Sequence, residues 1–423
     1  MSAAIRMIEP LAHPPDCTVR VPGSKSMTNR AVLIAALAQG ESVLDGALAS
    51  ADTRYMTEAW QQLGVDVRTE GDERVVIGGR GGVVPAAAAD LFVGNAGTAM
   101  RFLVAALCLG HGRYRIDGTA RMRQRPIQDE IDALTQLGAR CRATNGCPPV
   151  SVEAKGLPGG RAVVAADKSS QFLSAILQAA PYAARAVEIE VPGTPIAQPY
   201  IDMTIAVMRD FGVHVERDGY RRFIVSPQAY SGRRFAIEPD ASGAHYFWAA
   251  AALCGGHVRV DGLGSQSVQG DVHFADVLEQ MGAKVTRTTT SIEVSGTGDL
   301  DGVDVDMNAI SDTAPTLAAL APFARRPVRI RNIAHVRLQE SDRLRALATE
   351  LQRLGVKVRE LDDGLAIEPS HVHAAVVDTY DDHRLAMAFA LIGLRVPGIG
   401  IRDPECVGKT FPGYFQRLEE LRG

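Results

Sequence analysis

The sequence lacks the features that build metal sites, disulfide scaffolds and membrane spans. Its six cysteines include no C-x-x-C pair, so neither a zinc site nor a disulfide framework is expected. It has no apolar, charge-free run approaching ~18 residues, and its N-terminus is not that of a signal peptide. A formal net charge of −4 is not that of a nucleic-acid-binding protein. These absences predict a cytoplasmic protein without nucleic-acid or membrane partners, whose basic residues serve local pockets.

One pattern recurs along the 423 residues: a polar helix start, a helix rich in Ala and Leu, a short strand and a turn. Such periodicity indicates an internal repeat. The closing turns are 69 to 75 residues apart, at Gly46, Gly118, Gly193, Gly262, Asn332 and Asp403.

A second sequence feature, a marker glycine, recurs with the same spacing as the closing turns. In five of the copies a further helix ends at a glycine that is followed by two alternating strands, which predicts a hairpin. These glycines are Gly64, Gly138, Gly212, Gly282 and Gly355. The sixth copy reaches Gly423 without its hairpin, and a strand within residues 4–10 can supply part of it. The pattern predicts an α/β protein of two lobes, residues 23–240 with repeats one to three and residues 1–22 plus 241–423 with repeats four to six.

The first helix start carries cations where they oppose the helix dipole. Lys25 and Arg30 follow the turn Pro22-Gly23-Ser24, where the macrodipole favours acids. Basic groups beside free backbone N–H groups indicate a phosphate or carboxylate site. The alternative is ordinary N-capping. For Ser242 or Ser311 taken alone, an anion site and an N-cap are equally supported.

Eight motifs in order resemble those of the 5-enolpyruvylshikimate-3-phosphate synthase family. They are PGSKSMTNR, GNAGTAMR, RPI, SSQFLSA, PYIDMT, ESDRL, DDHRLAM and KTFPGYF. The resemblance implies a two-lobed inside-out α/β barrel of six βαβαββ repeats, three per lobe. It also implies a monomeric enzyme without cofactor that transfers the enolpyruvyl group of phosphoenolpyruvate to the 5-hydroxyl of shikimate 3-phosphate, in aromatic amino acid biosynthesis. Glyphosate would be its inhibitor.

The resemblance also implies roles for individual residues. Asp312, Glu340 and Lys25 would be catalytic. Shikimate 3-phosphate would be bound by Lys25, Ser26, Arg30, Ser169, Ser170, Gln171, Asp312 and Gln339. Phosphoenolpyruvate would be bound by Lys25, Gly97, Arg125, Gln171, Arg343, Arg384 and Lys409. The chain departs from the common family pattern at Phe102, Ala197, His335 and Gln339.

Two other functions fit the repeat pattern. The enolpyruvyl transferase that acts on UDP-N-acetylglucosamine shares the architecture, but it usually carries a cysteine in a flexible loop, and here only Cys147 lies in such a context. A non-catalytic repeat scaffold that binds a polyanion has no need of Asp312 and Glu340 inside an anion pocket. Shikimate-dependent phosphate release separates the three functions.

Overall fold

A computed structural model describes residues 4–422, which divide into two compact units. Unit 1 runs to Pro22 and resumes at Glu238, and unit 2 is Gly23–Ile237. Both units contain helices and β-strands, so the predicted mixed α/β class is confirmed. No helix within residues 4–422 has the length and apolar character needed to cross a membrane.

Twelve α-helices lie within the described residues. They are α1 (Lys25–Leu37), α2 (Ala51–Gln62), α3 (Gly97–Leu107), α4 (Gln128–Gln136), α5 (Ser170–Ala179), α6 (Gln198–Asp210), α7 (Ala241–Cys254), α8 (Phe274–Gln280), α9 (Ala314–Leu320), α10 (Arg343–Arg353), α11 (His383–Gly393) and α12 (Tyr414–Glu419). The odd-numbered helices are the six that begin at the polar starts of the repeat.

The strands of residues 4–422 are short. They are β1 (Ile5–Ile8), β2 (Asp16–Val19), β3 (Gln39–Asp45), β4 (Asp66–Glu70), β5 (Arg74–Arg80), β6 (Ala88–Phe92), β7 (His111–Asp117), β8 (Cys141–Thr144), β9 (Cys147–Lys155), β10 (Gly160–Val163), β11 (Val187–Glu190), β12 (Glu216–Asp218), β13 (Arg222–Val225), β14 (Arg234–Ala236), β15 (His257–Asp261), β16 (Lys284–Arg287), β17 (Ser291–Ser295), β18 (Asp304–Asp306), β19 (Val328–Arg331), β20 (Val358–Glu360), β21 (Leu365–Ile367), β22 (Val376–Val377) and β23 (Ile399–Arg402).

Five sheets of the described chain have four strands and one common topology. In β6-β7-β9-β8, for example, the first pair is parallel and the next two are antiparallel. The sheets β10-β11-β13-β12, β14-β3-β5-β4, β2-β15-β17-β16 and β18-β19-β21-β20 repeat it. In each sheet the antiparallel hairpin follows one of the five marker glycines. The sixth sheet has three strands, in which β1 pairs antiparallel with β23 as the N-terminal strand prediction requires.

Two sheets take their first strand from a distant part of the chain. β14 pairs in parallel with β3, and β2 pairs in parallel with β15. The sequence pattern did not predict β2 or β14, because strands of three or four residues carry too little alternation. Each of these strands immediately precedes the point at which the chain passes into the other unit.

The odd-numbered helices are almost wholly buried, and side chains cap most of their starts. α1 is buried from Met27 to Leu37, and the Ser24 side chain accepts a hydrogen bond from the Met27 N–H. Ser169 caps α5, and Asp240 and Asp382 cap α7 and α11. Because these bodies are apolar all round, the helices pack inside their units. Their capped polar ends are therefore where chemistry can occur.

Gly23, at the turn before α1, has no space for a side chain. A methyl group there would overlap the Gly46 carbonyl oxygen, whereas at Gly78 its nearest neighbour would be an Asp66 carbon at 3.5 Å. Backbone does not move aside as a flexible side chain does. We expect Gly23→Ala to lower the free energy of unfolding by about 1–3 kcal/mol in a urea titration. Gly78→Ala is the matched control, and equal midpoints for the two variants would contradict the packing of this turn.

Candidate active site

The centre of the unit 1 site is the guanidinium of Arg343, the first residue of α10. Its side chain is 1% exposed and is surrounded by carboxylates. Nε donates to Asp382 at 2.8 Å, NH1 to Asp312 at 3.1 Å, and NH2 to Glu340 at 3.0 Å and Asp382 at 3.2 Å. NH1 also donates to the side-chain oxygen of Gln339. One arginine thus joins three segments that are distant in sequence.

Burial and charge act in opposite directions on Arg343. Burial lowers its pKa, but attraction to Asp382, Glu340 and Asp312 more than offsets this, so the pKa rises above its ordinary value. The guanidinium therefore remains charged in the buried site. Loss of any one carboxylate would leave buried charge less well compensated.

Two further cations extend the cluster. Arg384 donates from NH2 to Asp312 at 2.5 Å and to the Ser242 hydroxyl at 3.3 Å. Lys409 Nζ lies 3.5 Å from Glu340 Oε1. The structure thus brings all six predicted unit 1 residues into one cluster: Asp312, Gln339, Glu340, Arg343, Arg384 and Lys409.

The sequence interpretation assigned Asp382 no binding or catalytic role in this site. Its side chain is fully buried and accepts hydrogen bonds from Arg343, from the Ser341 hydroxyl at 2.9 Å and from the Arg384 backbone N–H at 3.0 Å. The last contact is the N-cap of α11, and the motif Asp382-His383-Arg384 was a readable capping signal. The same carboxylate thus starts a helix and orients Arg343.

Two buried histidines of unit 1 are neutral at pH 7. His335 is hydrogen-bonded through Nε2 to the Ser311 hydroxyl at 2.9 Å, and His245 to the Thr316 hydroxyl at 2.8 Å. Burial lowers the pKa of His335 to about 4 and that of His245 to about 3. Neither ring therefore adds positive charge beside Asp312.

In unit 2, Lys25 pairs with an acid that the sequence reasoning did not identify. Its Nζ lies 3.4 Å from Asp52, in the first turn of α2, and both side chains are largely buried. Asp52 follows Ser50, whose capping box starts α2, so the helix dipole already favours a carboxylate there. This pairing orients Lys25, although the α1 dipole opposes a cation at that end.

Gly97 and Arg125 are in direct contact. Arg125 NH1 donates to the backbone oxygen of Asn95 at 3.0 Å and to its side-chain oxygen at 3.1 Å. A methyl group on Gly97 would overlap the Arg125 guanidinium and lie 2.9 Å from its central carbon. On the same helix start, the Thr98 hydroxyl accepts from Gln171 Nε2 at 3.5 Å. The starts of α3 and α5 therefore meet.

Arg30 is a buried cation of a different kind. It donates to the Thr204 hydroxyl at 2.7 Å, the Ser26 carbonyl at 2.9 Å and the Tyr200 carbonyl at 3.0 Å, all uncharged groups. Its guanidinium carbon lies 5.1 Å from the centre of the Phe102 ring and 6.0 Å from that of Tyr200. Burial lowers its pKa to about 10, so it stays protonated at neutral pH.

The remaining predicted residues lie on the same helix starts. Ser26 is the second residue of α1, and Ser170 is the buried first residue of α5. The Ser169 hydroxyl accepts from the Gln171 backbone N–H at 3.2 Å. Ala197, the residue before α6, has left-handed backbone and provides no side-chain cap for that helix. Within residues 4–422, no group of three or more His, Cys, Asp or Glu side chains is placed to hold a metal ion.

Comparison with known proteins gives consistent matches. The model of the family EPSP synthase (3-phosphoshikimate 1-carboxyvinyltransferase) matches residues 13–418. The 3-phosphoshikimate 1-carboxyvinyltransferases of Trichormus variabilis and Nostoc sp. are 48% and 49% identical to this chain, over 98% of it and 99% and 98% of their own lengths. An EPSP synthase structure from Acinetobacter baumannii has a TM-score of 0.83 at 27% identity, covering 99% of this chain and 98% of its own. The enolpyruvyl transferase NikO from Streptomyces tendae, at 19% identity, shares the fold with a TM-score of 0.77, over 99% of this chain and 97% of its own.

The low pKa of His335 predicts a pH dependence of stability. In the unfolded chain a histidine titrates near 6.5 and in the folded protein His335 titrates near 4, so between these values the unfolded state binds more protons. Stability therefore falls as the pH is lowered through this window, by up to about 1.4 kcal/mol per unit for one such group.

We expect His335→Asn to reduce that slope in urea titrations between pH 6.5 and 4.5, leaving the contribution of His245. His371→Asn, at an exposed position, is the control and should leave the slope unchanged. Parallel slopes for wild type and His335→Asn would show that His335 does not resist protonation in the fold.

Proposed function

The chain belongs to the EPSP synthase family, and from this premise we propose that it transfers the enolpyruvyl group of phosphoenolpyruvate to the 5-hydroxyl of shikimate 3-phosphate, releasing phosphate. Alignment over nearly the whole length of the curated relatives supports this activity over transfer to UDP-N-acetylglucosamine. The observation that carries it is the placement of Asp312 and Glu340 on one guanidinium, with Arg384 and Lys409 beside them.

We propose the finer architecture as well: an inside-out barrel of six βαβαββ repeats, with lobes at residues 23–240 and 1–22 plus 241–423. The common topology of five sheets supports the repeats. We also propose a cytoplasmic monomer, and sedimentation at micromolar concentration tests the oligomeric state.

The reaction is an addition followed by an elimination. In the addition, the methylene carbon of phosphoenolpyruvate gains a proton, and the 5-hydroxyl oxygen bonds to the neighbouring carbon and loses its proton. In the elimination, the methyl group so formed loses a proton and the phosphate departs. The site therefore needs one group to take a proton and another to give one.

We propose that Asp312 takes the proton of the hydroxyl. Two arginines donate to its oxygens, which favours the ionised carboxylate that a base requires. We propose that Glu340 and Lys409 exchange the proton of the carbon centre. Lys409 Nζ lies 3.5 Å from Glu340 Oε1, so an acid and a carboxylate are adjacent.

The remaining cationic side chains would bind the carboxylate and phosphate groups of the two substrates. We propose that Arg125, Arg343, Arg384 and Lys409 hold phosphoenolpyruvate together with Lys25, Gly97 and Gln171. Lys25 would also contact shikimate 3-phosphate and assist the departing phosphate. Guanidinium groups suit these partners, because they bind carboxylate and phosphate oxygens in pairs.

Shikimate 3-phosphate would be held by Ser26, Arg30, Ser169, Ser170 and Gln171, with Lys25, Asp312 and Gln339. The charge of Arg30 supports this role, since the three oxygens to which it donates are all uncharged and it stays protonated. A buried cation of this kind favours an anionic ligand.

The proposed activity is tested by phosphate release from phosphoenolpyruvate. We expect release with added shikimate 3-phosphate and none with UDP-N-acetylglucosamine. Release with the sugar nucleotide instead would support the second transferase. Tight binding of both anions without release would support the scaffold.

Neutral isosteres test the acid–base roles. We expect Asp312→Asn and Glu340→Gln each to lower kcat by about 10²- to 10⁴-fold, the usual contribution of a positioned acid or base. The dissociation constant of shikimate 3-phosphate, measured by calorimetry, should change far less. Asp72→Asn removes one exposed carboxylate as a control. Weaker binding with unchanged kcat would remove the tested residue from the mechanism.

The contact between Gly97 and Arg125 determines the response to glyphosate. We propose that this inhibitor competes with phosphoenolpyruvate. An alanine methyl at position 97 would displace the Arg125 guanidinium. We expect Gly97→Ala to raise the inhibition constant at least tenfold, which needs about 1.4 kcal/mol, and to raise KM for phosphoenolpyruvate by a smaller factor.

Gly78→Ala is the control for that substitution, since its methyl would make only ordinary contacts. Inhibition curves against varied phosphoenolpyruvate measure both constants. A wild type that resists glyphosate, with no change in Gly97→Ala, would contradict the placement of the inhibitor at Gly97.

A further inference from the structure

A strained turn lies directly before the Asp382 cap. Tyr380 and Asp381 both have φ of 56°, in the left-handed region. Neither is glycine, and two consecutive residues of this kind each add a conformational cost. Such backbone persists only where surrounding contacts enforce it. The Asp382 N–H donates to the Thr379 carbonyl at 2.8 Å, which closes the turn.

The contacts that enforce the turn converge on Glu350, a residue outside the reaction chemistry. Its side chain is fully buried. The Tyr380 hydroxyl donates to Oε1 at 2.8 Å, and the Asp378 backbone N–H donates to Oε2 at 3.0 Å. Arg353 NH1 donates to the two oxygens at 3.0 and 2.9 Å and to Asp378 at 2.8 Å. We call the bonds from Asp378 and Tyr380 to Glu350 the Glu350 clip.

Glu350 and Arg343 lie on the same helix, α10, seven residues and about two turns apart. They therefore project from one side of it. Arg343 binds Asp382 at one end of the segment 378–382, and Glu350 binds Asp378 and Tyr380 at the other. Tyr380, the first left-handed residue, is itself attached to Glu350, and Asp381 lies between it and Asp382, so α10 holds both ends of the strained turn.

We propose that Glu350 is a positioning residue for the phosphoenolpyruvate pocket. The Glu350 clip fixes the left-handed turn, the turn places Asp382, and Asp382 orients Arg343 through its side chain and Arg384 through the start of α11. Glu350 itself contacts neither substrate. This inference rests on the proposed function, because it assigns Arg343 and Arg384 to phosphoenolpyruvate.

Tyr380→Phe is the sharpest test, since it deletes one hydroxyl from a residue that is 46% exposed and should not disturb the core. We expect KM for phosphoenolpyruvate to rise about five- to tenfold, while kcat and KM for shikimate 3-phosphate stay within twofold. Hydrogen exchange of the amides in residues 378–384 should accelerate, with the melting temperature unchanged. Glu350→Gln should raise KM for phosphoenolpyruvate and accelerate exchange in residues 378–384 by larger factors, and it should also lower the melting temperature because it removes a buried carboxylate paired with Arg353.

Tyr220→Phe is the matched control, because its hydroxyl also donates to a carboxylate, Asp202, but in unit 2. It should change neither KM nor exchange in residues 378–384. An active Tyr380→Phe enzyme with unchanged KM for phosphoenolpyruvate, or with unchanged exchange, would overturn the positioning role alone. Equal increases in both KM values would also overturn it, because they would indicate general loosening. A wild type without enolpyruvyl transfer would instead overturn the proposed function.

Discussion

The unit 1 site depends on one electrostatic constraint: the buried guanidinium of Arg343 must remain surrounded by carboxylates. Asp312, Glu340 and Asp382 come from three separate segments, and each contacts this one group. Burial of a lone guanidinium is costly, so the contacts with these three segments stabilise the buried charge. The two carboxylates proposed for acid–base chemistry, Asp312 and Glu340, are thus positioned by the interaction that compensates the buried charge.

Unit 2 stabilises its buried arginine by different contacts. Arg30 is as deeply buried as Arg343, but it is held by three neutral oxygens and by the faces of Phe102 and Tyr200. Aromatic faces attract a cation without neutralising it. In unit 1 the three cations are balanced by three carboxylates, whereas Arg30 keeps its positive charge. The two units therefore stabilise their buried cations by different means, with carboxylates in unit 1 and with neutral oxygens and aromatic rings around Arg30 in unit 2.

Sequence reasoning predicted features that depend on local pattern. It placed the odd-numbered helices at their polar starts and the hairpins after the marker glycines. Both predictions succeed because hydrophobic periodicity and helix capping depend on residues close together in the sequence. It missed Asp52 and Asp382 as partners of Lys25 and Arg343, since such pairs depend on packing between distant segments. It also missed the left-handed turn at Tyr380, because the expected signal for such backbone is glycine or asparagine.

The pairing of β1 with β23 has a consequence for how the chain acquires its structure during synthesis. Unit 2 is continuous, so every strand of its sheets exists once Ala236 has been made. Unit 1 is not, because β1 must wait for β23, almost four hundred residues later. At about 5–20 residues per second this is a delay of roughly 20–80 s. For that time the backbone N–H and C=O groups of β1 lack their hydrogen-bond partners in β23, whereas every strand of the unit 2 sheets is already available for pairing.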